Sequence, residues 1–319
     1  MHHLRTLFYS NRQEDKNMAV TPSAAPMYAM GKAVRLSRMV NPVSNKMMAI
    51  TVDHATSRGI APMTGIQDIQ GAIDKIVAGH PDAMTMTWGI QKRCWGPHVG
   101  SGISILHKIS NYAPTSPTND MIFGSVDAAV RSGADAVSLG CMTLGDFQNE
   151  QFERIGEVSE YCDEIGMPLI GHIYPKGESV PVDKRTAWEN IAYCARSAAE
   201  LGLDVVKTTY TGDPDSMAKV ISCVPSTFRV VIQGGDSPKG LTQDQLIDYY
   251  MQMTRDALDA GCGGVTMGRW VWEYKDVTAL VIALRRLIHK GYTPKETREL
   301  LDTVEHDKNY ADYWDLNKG

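Results

Sequence analysis

A lysine closes an apolar run in LGLDVVKTTYTGD, residues 201–213. An ammonium group buried there is strongly disfavoured unless a partner compensates it or the amine gives up its proton. An unprotonated amine attacks ketone carbon, so Lys207 is a candidate for covalent catalysis through a Schiff base. The bland reading is a lysine that slips out to solvent. Other reactive side chains end similar runs. Asp53 and His54 close MMAITVD, His107 and Lys108 lie in GISILHKIS, and His172 and Tyr174 end MPLIGHIY. Lys108 would be a second cation able to lower the pKa of Lys207 toward about 7. Tyr174 could relay protons, and Asp53 could orient or deprotonate a substrate hydroxyl. Taken singly, Tyr174 is also a half-buried tyrosine before a turn, and Asp53-His54 an ion pair or loop start.

Two glycine sites suggest an anion clamp. VIQGGDSPKG carries Gly234 and Gly235, and VTMGRWVW carries Gly268 and Arg269. Glycine lets phosphate approach backbone N–H groups, and a guanidinium adds a charge-assisted bond. The alternative is a pair of tight turns. A metal site on Asp53, His54 and His172 lacks a supporting His-x-His or His-x-x-x-His pair, so no metal is expected. No cofactor is expected either.

These residues need elements to position them. Eight short apolar runs recur: MMAITVD (47–53), AMTMTW (83–88), GISILHKIS (102–110), ADAVSLG (134–140), MPLIGHIY (167–174), LDVVKTT (203–209), FRVVIQG (228–234) and GGVTMGR (263–269). Amphipathic stretches separate several of them, including SVDAAVRSGADA, NIAYCARSAAELG and TQDQLIDYYMQMTRDALDAG, each with a glycine near its end. Strand and helix in alternation imply parallel strands with crossover helices, and eight units predict a (β/α)8 TIM barrel. A doubly wound sheet is the runner-up, but TVDHATSRG is not a nucleotide-binding glycine loop. Residues 1–30 read as an N-terminal arm, 31–319 as one barrel domain, and 293–319 as a C-terminal helix with a polar tail. In a barrel the C-terminal strand ends share one mouth, which would bring the reactive residues together.

The composition agrees with a large core: 43% of the 319 residues are hydrophobic and 22% charged. A formal charge of −5 gives no general field for nucleic acid or anionic membrane. Six scattered cysteines without a Cys-x-x-Cys read as reduced thiols. With neither an 18-residue apolar run nor a signal-peptide core, the chain reads as cytoplasmic. MTWGIQKRCWGPHVG (86–100) suits a substrate lid, a packing segment or a subunit contact, and Trp188 and Tyr193 read as packing.

VVKTTYTGDPDSM, PLIGHIYPKG, VIQGG, GGVTMGRWVW and TVDH together resemble the archaeal-type class I fructose-bisphosphate aldolases. That group includes aminodideoxyheptulosonate synthases and the thiolase acting on phosphorylated autoinducer-2. The similarity runs from about residue 31 to about residue 290. It implies Lys207 as Schiff-base lysine, Tyr174 as proton-transfer residue and Asp53 as active-site carboxylate. It also implies Gly234, Gly235, Gly268 and Arg269 as phosphate ligands; His54, Lys108 and His172, by their place at the strand ends, are read as substrate-binding residues. The resemblance further implies a phosphorylated ketose or ketone substrate and a high-order homo-oligomer. DHATSRGIAP departs from the family run of DHG to EHGP, His172 stands where a tryptophan is common, and Gln233 where a serine is. RLSRMVNP is closer to the thiolase branch. Three activities follow: an aldolase on a phosphorylated ketose, a coenzyme A-dependent acyltransferase, or a noncatalytic phosphosugar-binding protein. A phosphate-binding isomerase is a lesser rival.

Overall fold

The computed structural model describes residues 27–59, 63–235 and 238–316. Ten strands form: β1 Met47–Thr51, β2 Ala83–Thr87, β3 Ser104–Lys108, β4 Ser110–Ala113, β5 Ser116–Ile122, β6 Ala136–Met142, β7 Leu169–Tyr174, β8 Val205–Thr208, β9 Arg229–Ile232 and β10 Gly264–Met267. Eight of them close a parallel barrel in the order β1-β10-β9-β8-β7-β6-β3-β2. Every apolar run named above supplies one barrel strand. The remaining two, β4 and β5, pair as an antiparallel hairpin inserted after β3. GISILHKIS therefore does not stay in one strand: the barrel part stops at Lys108, and Ser110 begins the hairpin.

Strand alternation divides the interior into layers. Met47, Ala49, Ala83, Leu106, Ala136, Ile170, Val205 and Val231 fill the inner apolar layer, and Met39 joins them. Met39 ends the helix Met27–Met39; its Leu36 and the following Val40 pack on the same cluster, so this helix plugs the N-terminal end of the barrel. Helix thus begins inside the stretch expected to be an arm; residues 1–26 lie outside the described residues. Arg35 Nη1 donates to the carbonyl of Gly166 at 2.8 Å, and Lys32 Nζ lies 2.9 Å from Asp204 Oδ2. RLSRMVNP therefore sits at the closed end, far along the barrel axis from the mouth.

Outward-facing strand residues meet the helices in a second, larger core. Helix starts follow local chemistry. Ser125 accepts the Ala128 N–H, and Thr242 with Gln245 forms a reciprocal capping box on the helix Gln243–Asp259. The helix Val277–Lys290 is buried from Val277 through His289, as expected of a helix apolar around most of its surface. Its Arg285 and Arg286 donate to the carbonyls of Trp314 and Asp315, tying down the chain's last described turn. The expected C-terminal helix spans Pro294–Asp307, followed by a 3₁₀ turn at Tyr310–Tyr313. At the closed end, Asp82 Oδ2 accepts the Met48 N–H at 2.7 Å and lies 3.0 Å from His289 Nε2. Ser44 Oγ meets the other ring nitrogen at 2.9 Å. Ser44, His289 and Asp82 thus pack together at the barrel floor, where side chains serve stability.

None of the six cysteines is paired in a disulfide. Among the described residues, no helix is long and apolar enough to cross a membrane.

Candidate active site

Above the apolar layer the interior turns polar. Parity along each strand fixes which side chains point in: Val205 belongs to the inner layer, so Lys207 does too. The same rule separates neighbours on β3. Leu106 faces inward and so does Lys108, whereas His107 turns out and meets Gln91 Oε1 at 2.9 Å through Nδ1. Lys207, Lys108, Asp53, His54, His172 and Tyr174 all line one cavity of about 510 Å³, its open mouth included. Six of the ten predicted site residues are thereby brought together.

Lys207 is 6% exposed, and among the described residues its amine has no hydrogen-bond partner. Burial lowers its pKa to about 8, helped by the charges of Lys108, Arg58 and Lys176 and opposed by Asp53. At pH 7 about a tenth of such amines are uncharged, against less than about a thousandth at the ordinary lysine value. Tyr174 is buried in the wall of the same cavity. Burial, then Asp53, raises its pKa well above the usual tyrosine value, so the phenol keeps its proton. Lys176 Nζ sits 5.4 Å from the centre of the Tyr174 ring.

Asp53 follows β1 directly. Its Oδ1 is 3.6 Å from His54 Nδ1, and its backbone carbonyl accepts from Asn111 Nδ2 at 3.0 Å. Asn111 belongs to β4 and also bonds Thr56 Oγ1 at 2.8 Å, so the inserted hairpin clamps the loop that carries Asp53. Burial drives the His54 pKa down to about 4, and the ring stands edge-on to Trp272 with centroids 5.5 Å apart. Burial first, then Lys108 and Lys207, also holds His172 well below the usual histidine range. Both rings are neutral at pH 7. His172 Nε2 is buried with no hydrogen-bond partner among the described residues, leaving one ring nitrogen for a bound molecule.

The hairpin brings in a residue that sequence reasoning missed. Asp120, on β5, faces Lys108 in the same cavity. Burial pushes the carboxyl pKa up and the Lys108 pKa down, while each partner resists the other's shift. The Gly140 N–H donates to Ser110 Oγ at 2.7 Å, and both groups help the Asp120 carboxylate resist the shift. Gly140 has to be glycine here: a Cβ would lie 2.8 Å from Asp120 Cγ and closer still to Oδ2. Arg58, Lys176 and Gln233 complete the wall. The first two were present in the quoted DHATSRG and HIYPKG motifs, but nothing in a linear motif says that they turn toward the lysine.

The expected phosphate clamp is divided. Gly234 and Gly235 line an adjoining cavity of about 1000 Å³, which shares Arg58, Lys176 and Gln233 with the first. Gly235 has φ +69°, a conformation that favours glycine, whereas a Cβ on Gly234 would strike the Trp270 ring. Gly268 and Arg269 line neither cavity. A Cβ on Gly268 would come within 2.6 Å of His54 Cε1 and 2.8 Å of Thr51 Oγ1. Close packing of His54 therefore explains this glycine without invoking phosphate. Arg269 is half-buried at the start of the short helix Arg269–Trp272, and its charge acts on His54.

The segment 86–100 is no lid over this cavity, since none of its residues lines the wall. Trp88–Cys94 is a helix whose buried Gln91 also donates to the Ser132 carbonyl at 3.0 Å, and His98 Nε2 lies 2.7 Å from Asp74 Oδ1. These contacts make it packing on the outer layer. Among the described residues, no group of three or more His, Cys, Asp or Glu side chains has the arrangement to hold a metal ion.

Comparison with known proteins gives a consistent result. A model for the DeoC/LacD family aldolases matches residues 47–274. The 2-amino-3,7-dideoxy-D-threo-hept-6-ulosonate synthase of Halobacterium salinarum is 31% identical over 266 residues, 83% of this chain and 94% of the relative. The 2-amino-4,5-dihydroxy-6-oxo-7-(phosphonooxy)heptanoate synthase of Streptomyces griseus is 27% identical over 272 residues, 84% and 94% of the two chains. Among solved structures, an archaeal fructose 1,6-bisphosphate aldolase superposes with a TM-score of 0.72 at 25% identity, over 81% of this chain and 99% of the other. A Schiff-base-forming fructose-1,6-bisphosphate aldolase gives a TM-score of 0.71 at 25% identity, over 80% and 98%.

Proposed function

The chain belongs to the DeoC/LacD aldolase family, and from that premise we propose that it is a lysine-dependent, class I aldolase that breaks or forms a carbon–carbon bond in a phosphorylated ketose. The observation that carries the reading is the state of Lys207: buried, without a hydrogen-bond partner among the described residues, with its pKa lowered to about 8, and in one cavity with Asp53 and Tyr174.

In the cleavage direction the free amine of Lys207 adds to the ketone carbon. The developing alkoxide takes a proton, for which the Tyr174 phenol is the nearby donor, and the carbinolamine loses water to give an iminium. Asp53 accepts the proton of the hydroxyl on the carbon beyond the bond to be broken. As that oxygen closes to a carbonyl, the bonding pair moves into the iminium and leaves an enamine. Tyr174, reprotonated, returns a proton to the enamine carbon, and water releases the second product from Lys207. Each proton transfer of this kind is worth about 10²- to 10⁴-fold in rate. Neutral His54 and His172 give the substrate hydrogen-bonding partners without further positive charge. A phosphate held at Gly234-Gly235 in the adjoining cavity would fix the ketone against the amine, converting binding into orientation.

Borohydride trapping tests the reading. Dihydroxyacetone phosphate or fructose 1,6-bisphosphate plus borohydride should add a reduced adduct on Lys207, located by mass spectrometry. Persistent labelling of Lys207→Ala, or no labelling of the wild type by any ketose phosphate, would overturn it. A strict coenzyme A requirement would instead indicate the acyltransferase activity.

A further inference from the structure

Inward side chains of a closed barrel stack in layers, each layer drawn from alternate strands. Strand pairing fixes which residues share one. Ala49 lies opposite Thr266, Thr85 opposite Leu106, Ser138 opposite Ile170 and Lys207 opposite Val231. Closure of this barrel staggers neighbouring strands by about one residue each. Ala49, Leu106, Ile170 and Val231 then form one layer, and Thr85, Ser138, Lys207 and Thr266 form the next, a step nearer the mouth. The lower layer is wholly apolar. In the upper one, Lys207 is joined by hydroxyl side chains alone. Thr85 and Ser138 are 0% exposed and Thr266 1%, and none of their oxygens has a hydrogen-bond partner among the described residues. Thr51 Oγ1 and His172 Nε2, facing inward just above, are buried and unpartnered too.

A buried hydroxyl without a hydrogen bond is strongly disfavoured, and valine would fill the space of threonine without that penalty. Ser138 is also much smaller than the leucine or isoleucine usual in such a layer. Hydroxyls that converge in one enclosed space supply the several polar partners a buried water requires. We propose that Thr85, Ser138 and Thr266 hold ordered water in the layer of Lys207, so that its ammonium form is hydrated from inside the barrel as well as from the mouth. This hydration persists when a substrate fills the mouth. Its existence is independent of the reaction; only its catalytic use rests on the aldolase reading. There the iminium carries positive charge where the ammonium did, and the same water faces it. The ionisable groups around Lys207 are Asp53, His54 and Arg58 after β1, Lys108 on β3, Asp120 on β5, and His172, Tyr174 and Lys176 on or after β7. Arg269, after β10, acts on His54. Substituting the hydroxyls alters none of these groups, so a shift in the titration of Lys207 reports its hydration.

The test titrates Lys207 directly by carbon NMR of its Cε, a resonance assigned by its loss in Lys207→Met. Thr85→Val combined with Thr266→Val removes hydrogen bonds that favour the charged form. The midpoint should fall by about half a pH unit or more, and the melting temperature by about 1–2 °C. Thr85→Ser keeps the hydroxyl and should keep the wild-type midpoint. Ser138→Ala alone should give a smaller shift in the same direction, and it decides the matter where the double variant does not fold. An unmoved or raised midpoint in a folded variant would overturn the proposal. So would a higher melting temperature, because a hydroxyl with no partner at all is better replaced by a methyl group. Failure of borohydride labelling in the wild type would sink the lysine chemistry while leaving this titration to be read. Normal labelling with an unmoved midpoint would sink only the hydration.

Discussion

His172 and Lys207 are register partners on β7 and β8, so an imidazole and an amine occupy one level of the barrel interior. Two groups that both gain charge by protonation cannot both do so cheaply in that space. His172 is neutral throughout the working range, which leaves the ionisation of Lys207 to govern the first chemical step.

The rate of iminium trapping should therefore rise with pH and level off above a midpoint near 8, where Lys207 loses its proton. The signs of two substitutions are opposite. Lys108→Met removes a cation that lowers the pKa of Lys207, so the midpoint moves to higher pH. Asp53→Asn removes an anion that raises it, so the midpoint moves lower although turnover falls. Single-turnover trapping on either side of pH 8 reads both shifts. Shifts of the same sign in the two variants would refute this electrostatic account.

Tyr174→Phe separates chemistry from folding. The phenol oxygen has no hydrogen-bond partner among the described residues, so its removal should leave the melting temperature nearly unchanged. Turnover should drop by about 10²- to 10⁴-fold, the usual weight of a positioned proton donor. A phenylalanine variant with full turnover would remove Tyr174 from the mechanism.

The barrel was legible because parallel strands covered on both faces are apolar along their whole length, and each such run stood out. That Lys207, Tyr174 and Asp53 meet in one cavity was legible for the same reason, as polar residues at the ends of those runs. The hairpin was not. Its strands alternate polar and apolar residues over a few positions, and Asp120 has no run to mark it. Nor could linear order tell His107 from Lys108: adjacent residues point to opposite sides, and only the inner layer decides which is which. Glycine before arginine suits a phosphate site, but it does not announce that the missing Cβ of Gly268 also makes room for the His54 ring.

Lys108 and Asp120 are both buried in the same cavity, and each charge acts on the other. Replacing both by neutral residues of similar volume, Lys108→Met with Asp120→Asn, should raise unfolding free energy by up to about 4 kcal/mol. Either single change should be less stable than the double, since a lone buried charge remains. Activity of the double variant should fall, because the cation that helps keep Lys207 deprotonated is gone. Denaturant melts and trapping assays on the same preparations check the two signs together.

Exhaustive chelation should leave turnover intact, because none of the steps assigned to Lys207, Tyr174 and Asp53 calls for a Lewis acid. Activity lost with a chelator and recovered with zinc would point to a metal-dependent aldolase.

A double-mutant cycle on Gly268 and His54 tests why that glycine is there. Gly268→Ala forces a methyl group toward His54 Cε1 and Thr51 Oγ1 and should cost about 1–3 kcal/mol of stability, the usual penalty for overpacking. In a His54→Ala background most of that penalty should vanish, since the larger obstacle has been removed; Thr51 keeps a remainder. Contacting residues couple by about 0.5–3 kcal/mol in such cycles, well above the error of a denaturant melt. If glycine were required for phosphate alone, the two substitutions would add independently in stability, and only affinity for phosphorylated ligands would fall.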